Sequence, residues 1–144
     1  MSNPIIVIAG PARCGKSFLV DMLTKGSKKF HLNARESNHF TKPWKYGGLS
    51  QDDDYIYLDD LSKKSLDLLY EDLQSDQIKV HERGKEAIMM KRPPIIITTE
   101  LMPMKFINLK NAVIFRAGLH WKFVERQKQD FRHYKFEKKE EGDE

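Results

Sequence analysis

Short apolar runs recur along the chain, each closed by glycine or a polar residue. Ile5-Ile6-Val7-Ile8-Ala9 is continuously apolar up to Gly10, the pattern of a parallel strand buried on both faces. From Lys16 to Lys25 the spacing becomes helical, with Phe18, Leu19, Met22 and Leu23 on one face and Gly26 as the stop. Lys28-Lys29-Phe30-His31-Leu32 reads as a short second strand. A polar stretch over 33–54 follows, held down by Trp44 and Tyr46. Tyr55-Ile56-Tyr57-Leu58 predicts a third strand ending at Asp59-Asp60, and Ser62 to Leu73 predicts a helix that inserts Leu66, Leu69, Tyr70 and Leu73.

The second half of the chain changes rhythm. Ile78-Lys79-Val80-His81 and Glu86-Ala87-Ile88-Met89-Met90 flank Glu82-Arg83-Gly84-Lys85, which predicts a β-hairpin with glycine at its tip. Pro93-Pro94 breaks the chain before Ile95-Ile96-Ile97-Thr98-Thr99, a fourth buried strand. Ala112-Val113-Ile114-Phe115 and Leu119-His120-Trp121-Lys122-Phe123 come next, the latter expected as the fifth strand. A charged tail follows, helical from Val124 and frayed from Lys138. Strands alternating with helices give an α/β fold, a five-stranded parallel sheet with helices on both faces. The expected division is one domain over 1–137 and a charged, disordered tail over 138–144. No internal repeat divides the chain.

Composition narrows the class. A length of 144 residues suits one domain, and no run approaches the ~20 apolar residues of a membrane span. The start shows no basic region and cleavage site of a signal peptide. One cysteine excludes an internal disulfide framework and fits a reducing, intracellular setting, while five scattered histidines give no zinc spacing. The net charge of +4 is unevenly placed: residues 51–76 hold nine acidic and two basic side chains, residues 77–122 nine basic and three acidic. The basic block coincides with the hairpin.

The chemistry begins at the first strand's end. Gly10-Pro11-Ala12-Arg13-Cys14-Gly15-Lys16-Ser17 matches G-x-x-x-x-G-K-[ST] in full, between a strand and a helix, as a phosphate-binding loop requires. Glycines let backbone N–H groups face the phosphates, and the helix N-terminus adds partial positive charge. Lys16 is placed to contact the β- and γ-phosphates and Ser17 to ligate Mg2+. Hydrolysis also needs a carboxylate on the metal side and a base for the attacking water. Asp59 and Asp60, at a buried strand's C-terminal end, supply both: Asp59 towards the metal, Asp60 as the base.

The order of P-loop, acidic strand end, basic hairpin, Pro-Pro and Thr-Thr strand resembles the superfamily 3 helicases. These are the AAA+-like ATPases of small DNA viruses and some plasmids. Ile78-Lys79-Val80, Arg83, Lys85, Lys91, Pro93-Pro94 and Ile95-Ile96-Ile97-Thr98-Thr99 are similar to the hairpin and following strand of the papillomavirus, parvovirus and circovirus replication helicases. The resemblance implies ATP and Mg2+ as cofactors, and self-association into a ring, usually a hexamer. It also implies a grip on single-stranded DNA (or RNA) by Arg83 and Lys85, with His81 alongside. It further implies an arginine reaching the neighbouring subunit's ATP, for which Arg116 is the best match and Arg126 the fallback. The family's strand ends in an asparagine that senses the γ-phosphate. Here Glu100 follows Thr98-Thr99, so either the sensor role is altered, or Thr99 takes it, or the register of the match shifts by one. Location follows the source: the host nucleus for a virus of eukaryotes, the cytoplasm for a plasmid. Two other readings stay open, a small-molecule or nucleoside kinase and a non-catalytic NTP-binding module that assembles on nucleic acid.

Overall fold

The computed structural model describes residues 3–12, 14–82, 84–116, 121–125 and 133–138. Its strands are β1 (Ile5–Ala9), β2 (Lys29–Asn33), β3 (Tyr55–Asp59), β4 (Gln77–Val80), β5 (Ile88–Lys91), β6 (Ile95–Thr99), β7 (Ala112–Arg116), β8 (Trp121–Glu125) and β9 (His133–Lys138). The helices are α1 (Lys16–Leu23) and α2 (Lys63–Gln74), with single 3-10 turns at Asn38–Thr41 and Pro103–Phe106.

The main sheet runs β2-β3-β6-β1-β7-β9-β8. Its first five strands are parallel, as the α/β pattern predicts. β1 lies between β6 and β7, with Ala9 in register with both Thr99 and Arg116. β3 sits one strand further out, so the strand ending in Asp59 is separated from the P-loop strand only by β6.

Strand alternation sorts the core into two layers. Ile5, Val7, Ile56, Leu58, Ile95, Ile97, Ala112 and Ile114 point to one side. There they pack with Leu66, Leu69 and Leu73 of α2 and with Ile78, Val80 and Met90 of the hairpin. Each leucine of α2 so buried contributes roughly 1.5–3 kcal/mol. Ser62 starts this helix by accepting the Ser65 N–H at 3.2 Å, a cap worth about 1 kcal/mol. Ile8, Tyr57 and Ile96 point to the other side, under Leu19 and Val20 of α1 and beside Cys14.

Three expectations are corrected. α1 buries Leu19 and Val20 but leaves Phe18, Met22 and Leu23 exposed, so of the face the spacing favoured only Leu19 packs inward. Apolar residues lie almost all round this short helix, and its roll is fixed by the loop that feeds it rather than by its own period. The fifth parallel strand is β7, not the segment reaching Phe123. That segment forms β8 at the far edge, antiparallel to β9. The helix expected from Val124 is replaced by the end of β8 and by β9, which inserts parallel to β7. Alternation of Tyr134 and Phe136 with His133, Lys135 and Glu137 is the period-2 signal for β9. Residues 139–144 lie outside the described residues.

The hairpin is a separate antiparallel pair, β4 with β5, closed by a seven-residue connection from His81 to Ala87 rather than a two-residue turn. Arg92 anchors its base. Its guanidinium is buried and donates to the carbonyl oxygens of Ser75, Pro93 and Asn3 at 2.9, 3.1 and 2.8 Å. The Asn3 amide returns a bond to the Arg92 carbonyl at 2.8 Å. Burial pulls the Arg92 pKa below its ordinary value.

Candidate functional site

The loop from Gly10 to Ser17 leaves the end of β1 and opens α1. Gly10 donates its N–H to the Thr99 carbonyl at 3.0 Å, which ties the loop's start to β6. Gly15 adopts φ 93°, a left-handed conformation that a side chain would strain. Its carbonyl accepts the Leu19 N–H at 3.0 Å, so the turn passes directly into the helix. The Lys16 ammonium folds over the loop and donates to the carbonyl oxygens of Gly10 and Pro11 at 2.8 and 2.6 Å, with the Cys14 sulfur at 3.8 Å. The Lys16 charge is thereby held over the turn. Arg13 lies outside the described residues.

Beside the loop, the end of β3 is stapled to β6. Asp60 takes φ 62°, unusual for a residue with a side chain and tolerated best by Asp and Asn. Its N–H donates to the Thr98 hydroxyl at 2.9 Å, and the Leu61 N–H donates to the Thr98 carbonyl at 2.8 Å. The Thr99 hydroxyl donates to the Leu61 carbonyl at 2.7 Å and accepts the Leu101 N–H at 3.0 Å. These bonds turn the two carboxylates apart. The Asp59 carboxylate lies on the α1 side of the sheet, while that of Asp60 meets the Arg35 guanidinium just beyond β2. Arg35 is held above its ordinary pKa, first by the hydrogen bond to Asp60, then by that residue's charge, with Glu100 and Glu36 adding to it.

Three groups converge on Asp59. The hydroxyls of Tyr57 and Thr98 each lie 3.2 Å from Oδ1, and His31 Nε2 lies 3.0 Å from Oδ2. His31 and Tyr57 are cross-strand partners with stacked rings, centroids 4.7 Å apart and planes 18° from parallel. Burial, the largest influence, raises the Tyr57 pKa, while the nearby Thr98 and Ser17 act in the opposite direction.

Ser17 and Asp59 offer hard oxygen atoms, the ligand type that Mg2+ takes; the residues fit that ion. Among the described residues no three His, Cys, Asp or Glu side chains gather into a metal site of their own. Mg2+ here would draw its remaining ligands from phosphate and water, its usual habit.

The sequence-predicted residues divide accordingly. Lys16, Ser17, Asp59 and Asp60 come together at the C-terminal ends of the strands. Thr99 belongs to the neighbouring strand end but is fully buried, with its hydroxyl occupied by the backbone; Thr98 is the threonine that touches Asp59. Glu100 is exposed and close enough to Arg35 to act on its charge. Arg116 is exposed at the end of β7, its Cα in register with Ala9 at the loop's entrance. His81 and Lys85 lie in the hairpin connection, away from the loop. Lys85 is paired with Glu82 at 2.8 Å, and Gly84 takes φ 82° in the turn between them. Arg83 and Arg126 lie outside the described residues.

His31, Tyr57, Thr98 and Arg35 escaped the sequence reading. For Tyr57 a signal existed: two residues before Asp59 on a strand, it must share that face. Thr98 could have been found by aligning the two strand ends. Arg35 follows no period, and only the path of the chain after β2 brings it to Asp60.

A cleft of about 520 Å³ opens at the opposite end of the sheet, lined by Asn3, Asp53, Asp54, Gln77, Lys91 and Pro93 among others. Its acids serve the backbone. Asp53 accepts the Ser50 N–H and Asp54 the Lys28 N–H, both at 2.9 Å. The convergence of charge and hydroxyls at the P-loop end is the stronger site. No helix among the described residues is long and apolar enough to cross a membrane. No protein-family model matches the chain, and a search of curated proteins finds no significant match.

Proposed function

We propose that this chain is an ATPase domain that drives movement along single-stranded nucleic acid, with the P-loop end of the sheet as its catalytic site. The reading rests most on one observation. A complete G-x-x-x-x-G-K-S loop stands beside a strand-end aspartate pair, whose Asp59 is hydrogen-bonded by Tyr57, Thr98 and His31.

In this reading the triphosphate draws the Lys16 ammonium off the Gly10 and Pro11 carbonyls and takes its charge on the β- and γ-phosphates. Backbone N–H groups of the loop and the start of α1 complete the cradle. Ser17, and Asp59 through water, would hold Mg2+, which when bound would neutralise charge on the phosphate oxygens. Asp60 orients the attacking water and accepts its proton once Arg35 releases the carboxylate. Arg116, exposed at the end of β7, would serve a neighbouring subunit's nucleotide in a ring.

The resemblance to superfamily 3 helicases gives the reading its substrate class. A basic hairpin follows the catalytic aspartates, and Lys85 with Arg83 would grip phosphates of the strand. ATP turnover measured with and without single-stranded DNA tests the whole reading.

A further inference from the structure

Main-chain pairing between β3 and β6 stops at Leu58 and Ile97, one residue short of Asp59, whereas β6 stays paired with β1 as far as Ala9 and Thr99. Past that point the Thr98 side chain joins the two strand ends. Thr98 is 1% exposed, on the strand that separates the P-loop strand from the aspartate strand. Its Oγ1 accepts the Asp60 N–H at 2.9 Å and lies 3.2 Å from Asp59 Oδ1. A main-chain N–H only donates and an ionised carboxylate only accepts, so both directions are fixed. The hydroxyl's one proton goes to Asp59.

These two bonds act on a backbone in a sparsely populated conformation. At φ 62° the Asp60 Cβ is crowded by its own main chain, and such a turn persists only where its surroundings impose it. Thr98 imposes it at two points: its hydroxyl holds the Asp60 N–H, and its carbonyl oxygen accepts the Leu61 N–H at 2.8 Å. The Thr99 hydroxyl closes the turn on the Leu61 carbonyl at 2.7 Å. With the turn fixed, consecutive carboxylates meet different partners, Asp59 with His31 and Tyr57, Asp60 with Arg35. A relaxation of Asp60 to right-handed or extended backbone would change the direction of one carboxylate relative to the other.

We propose that Thr98 is a positioning residue for the aspartate pair: its single hydroxyl, bonded to the Asp60 N–H and to the Asp59 carboxylate, sets the direction of both. This inference rests on reading Asp59 as the metal-side carboxylate and Asp60 as the base. Thr98 acts through these two residues and takes no part in the chemistry itself. Tyr57 also reaches Asp59 Oδ1, so loss of the Thr98 hydroxyl is felt first at Asp60. Its contribution is orientation of the reacting groups, and it belongs to turnover rather than to nucleotide binding.

The test compares Thr98→Val and Thr98→Ser with the wild-type chain in ATP turnover, in affinity for a fluorescent non-hydrolysable ATP analogue, and in thermal melting. Valine keeps the branched shape and loses the hydroxyl; serine keeps the hydroxyl and loses the methyl group. The expected result is kcat lowered about tenfold or more in Thr98→Val, at an analogue affinity within about threefold of wild type, with kcat largely restored in Thr98→Ser. Wild-type kcat in Thr98→Val overturns the inference while leaving the nucleotide site intact. An equal fall of kcat in both variants also overturns it, since packing of the methyl group would then be the cause. A Thr98→Val chain that fails to fold, or that loses analogue affinity in step with kcat, overturns it too, because the hydroxyl would then support the fold. Absence of turnover in the wild type removes the roles of the aspartates themselves, and that of Thr98 with them.

Discussion

The Arg35 guanidinium holds the Asp60 carboxylate through both Nε and Nη2, across the turn that ends β3. Asp60 reaches this position through a left-handed backbone locked by the Thr98 hydroxyl, so the carboxylate is presented to Arg35 rather than sharing the face of Asp59. A carboxylate held by two charge-assisted hydrogen bonds is not free to turn towards a water. The pair is therefore a restraint on Asp60 in this arrangement. Arg35→Ala is expected to raise ATP turnover without nucleic acid several-fold, and Asp60→Asn to stop turnover while sparing nucleotide binding. Steady-state kcat of the two variants checks this. Equal loss in both would mean that the ion pair is itself the working arrangement.

The hairpin carries a similar internal restraint. Lys85 is bound to Glu82, which lowers the carboxylate's pKa and raises that of the ammonium. Both groups are exposed, so salt and a competing phosphate can separate them. Glu82→Gln should tighten single-stranded DNA binding at low salt by a few-fold. Alanine at Arg83 and Lys85 together should flatten the log–log salt slope by roughly 0.7 for each phosphate that is no longer neutralised. Affinity for a short oligonucleotide at several salt concentrations decides, and an unaltered slope in the double variant removes the hairpin from nucleic-acid binding.

The polar stretch between β2 and β3 is held to α2 by Tyr46, whose hydroxyl donates to Asp72 Oδ2 at 2.7 Å while Lys45 pairs with the same oxygen at 3.2 Å. Burial raises the Tyr46 pKa well above its ordinary 10.0, and the nearby Asp72 adds to it. A phenol whose folded pKa is raised stabilises the fold fully below the unfolded value. That contribution is lost as pH climbs from about 10 towards the folded value. Tyr46→Phe should cost about 1–2 kcal/mol near neutral pH and soften the alkaline loss of stability. Thermal melts between pH 7 and 11 read both effects. A variant with the wild-type alkaline slope would assign that slope elsewhere.

Much of this fold is legible in the pattern of side chains because a parallel sheet buried on both faces writes continuous apolar runs. Ile5–Ala9, Tyr55–Asp59 and Ile95–Thr99 are such runs, and each forms a strand. The P-loop is legible because its mechanism fixes both spacing and context. Where local period had no authority, the reading failed. α1 is too evenly apolar for its buried face to be chosen by spacing. The β9 signal is a short alternation inside a charged tail, easily read as helical surface. The partners of Asp59 and Asp60 come from β2 and the chain just after it, from β3 and from β6, so their meeting depends on strand order, which no local window contains. Arg92 sits in a basic stretch that looks solvated, and only three backbone carbonyls converging on it explain its burial.

The most direct measurement is ATP turnover by the wild-type chain, with Lys16→Ala as its control, in the presence and absence of single-stranded DNA. The account predicts Mg2+-dependent hydrolysis that single-stranded DNA stimulates and Lys16→Ala abolishes. Turnover indifferent to DNA, with phosphate passed to a small molecule, would point to a kinase. No turnover at all, with nucleotide still bound, would contradict the account and leave a nucleotide-binding module in its place.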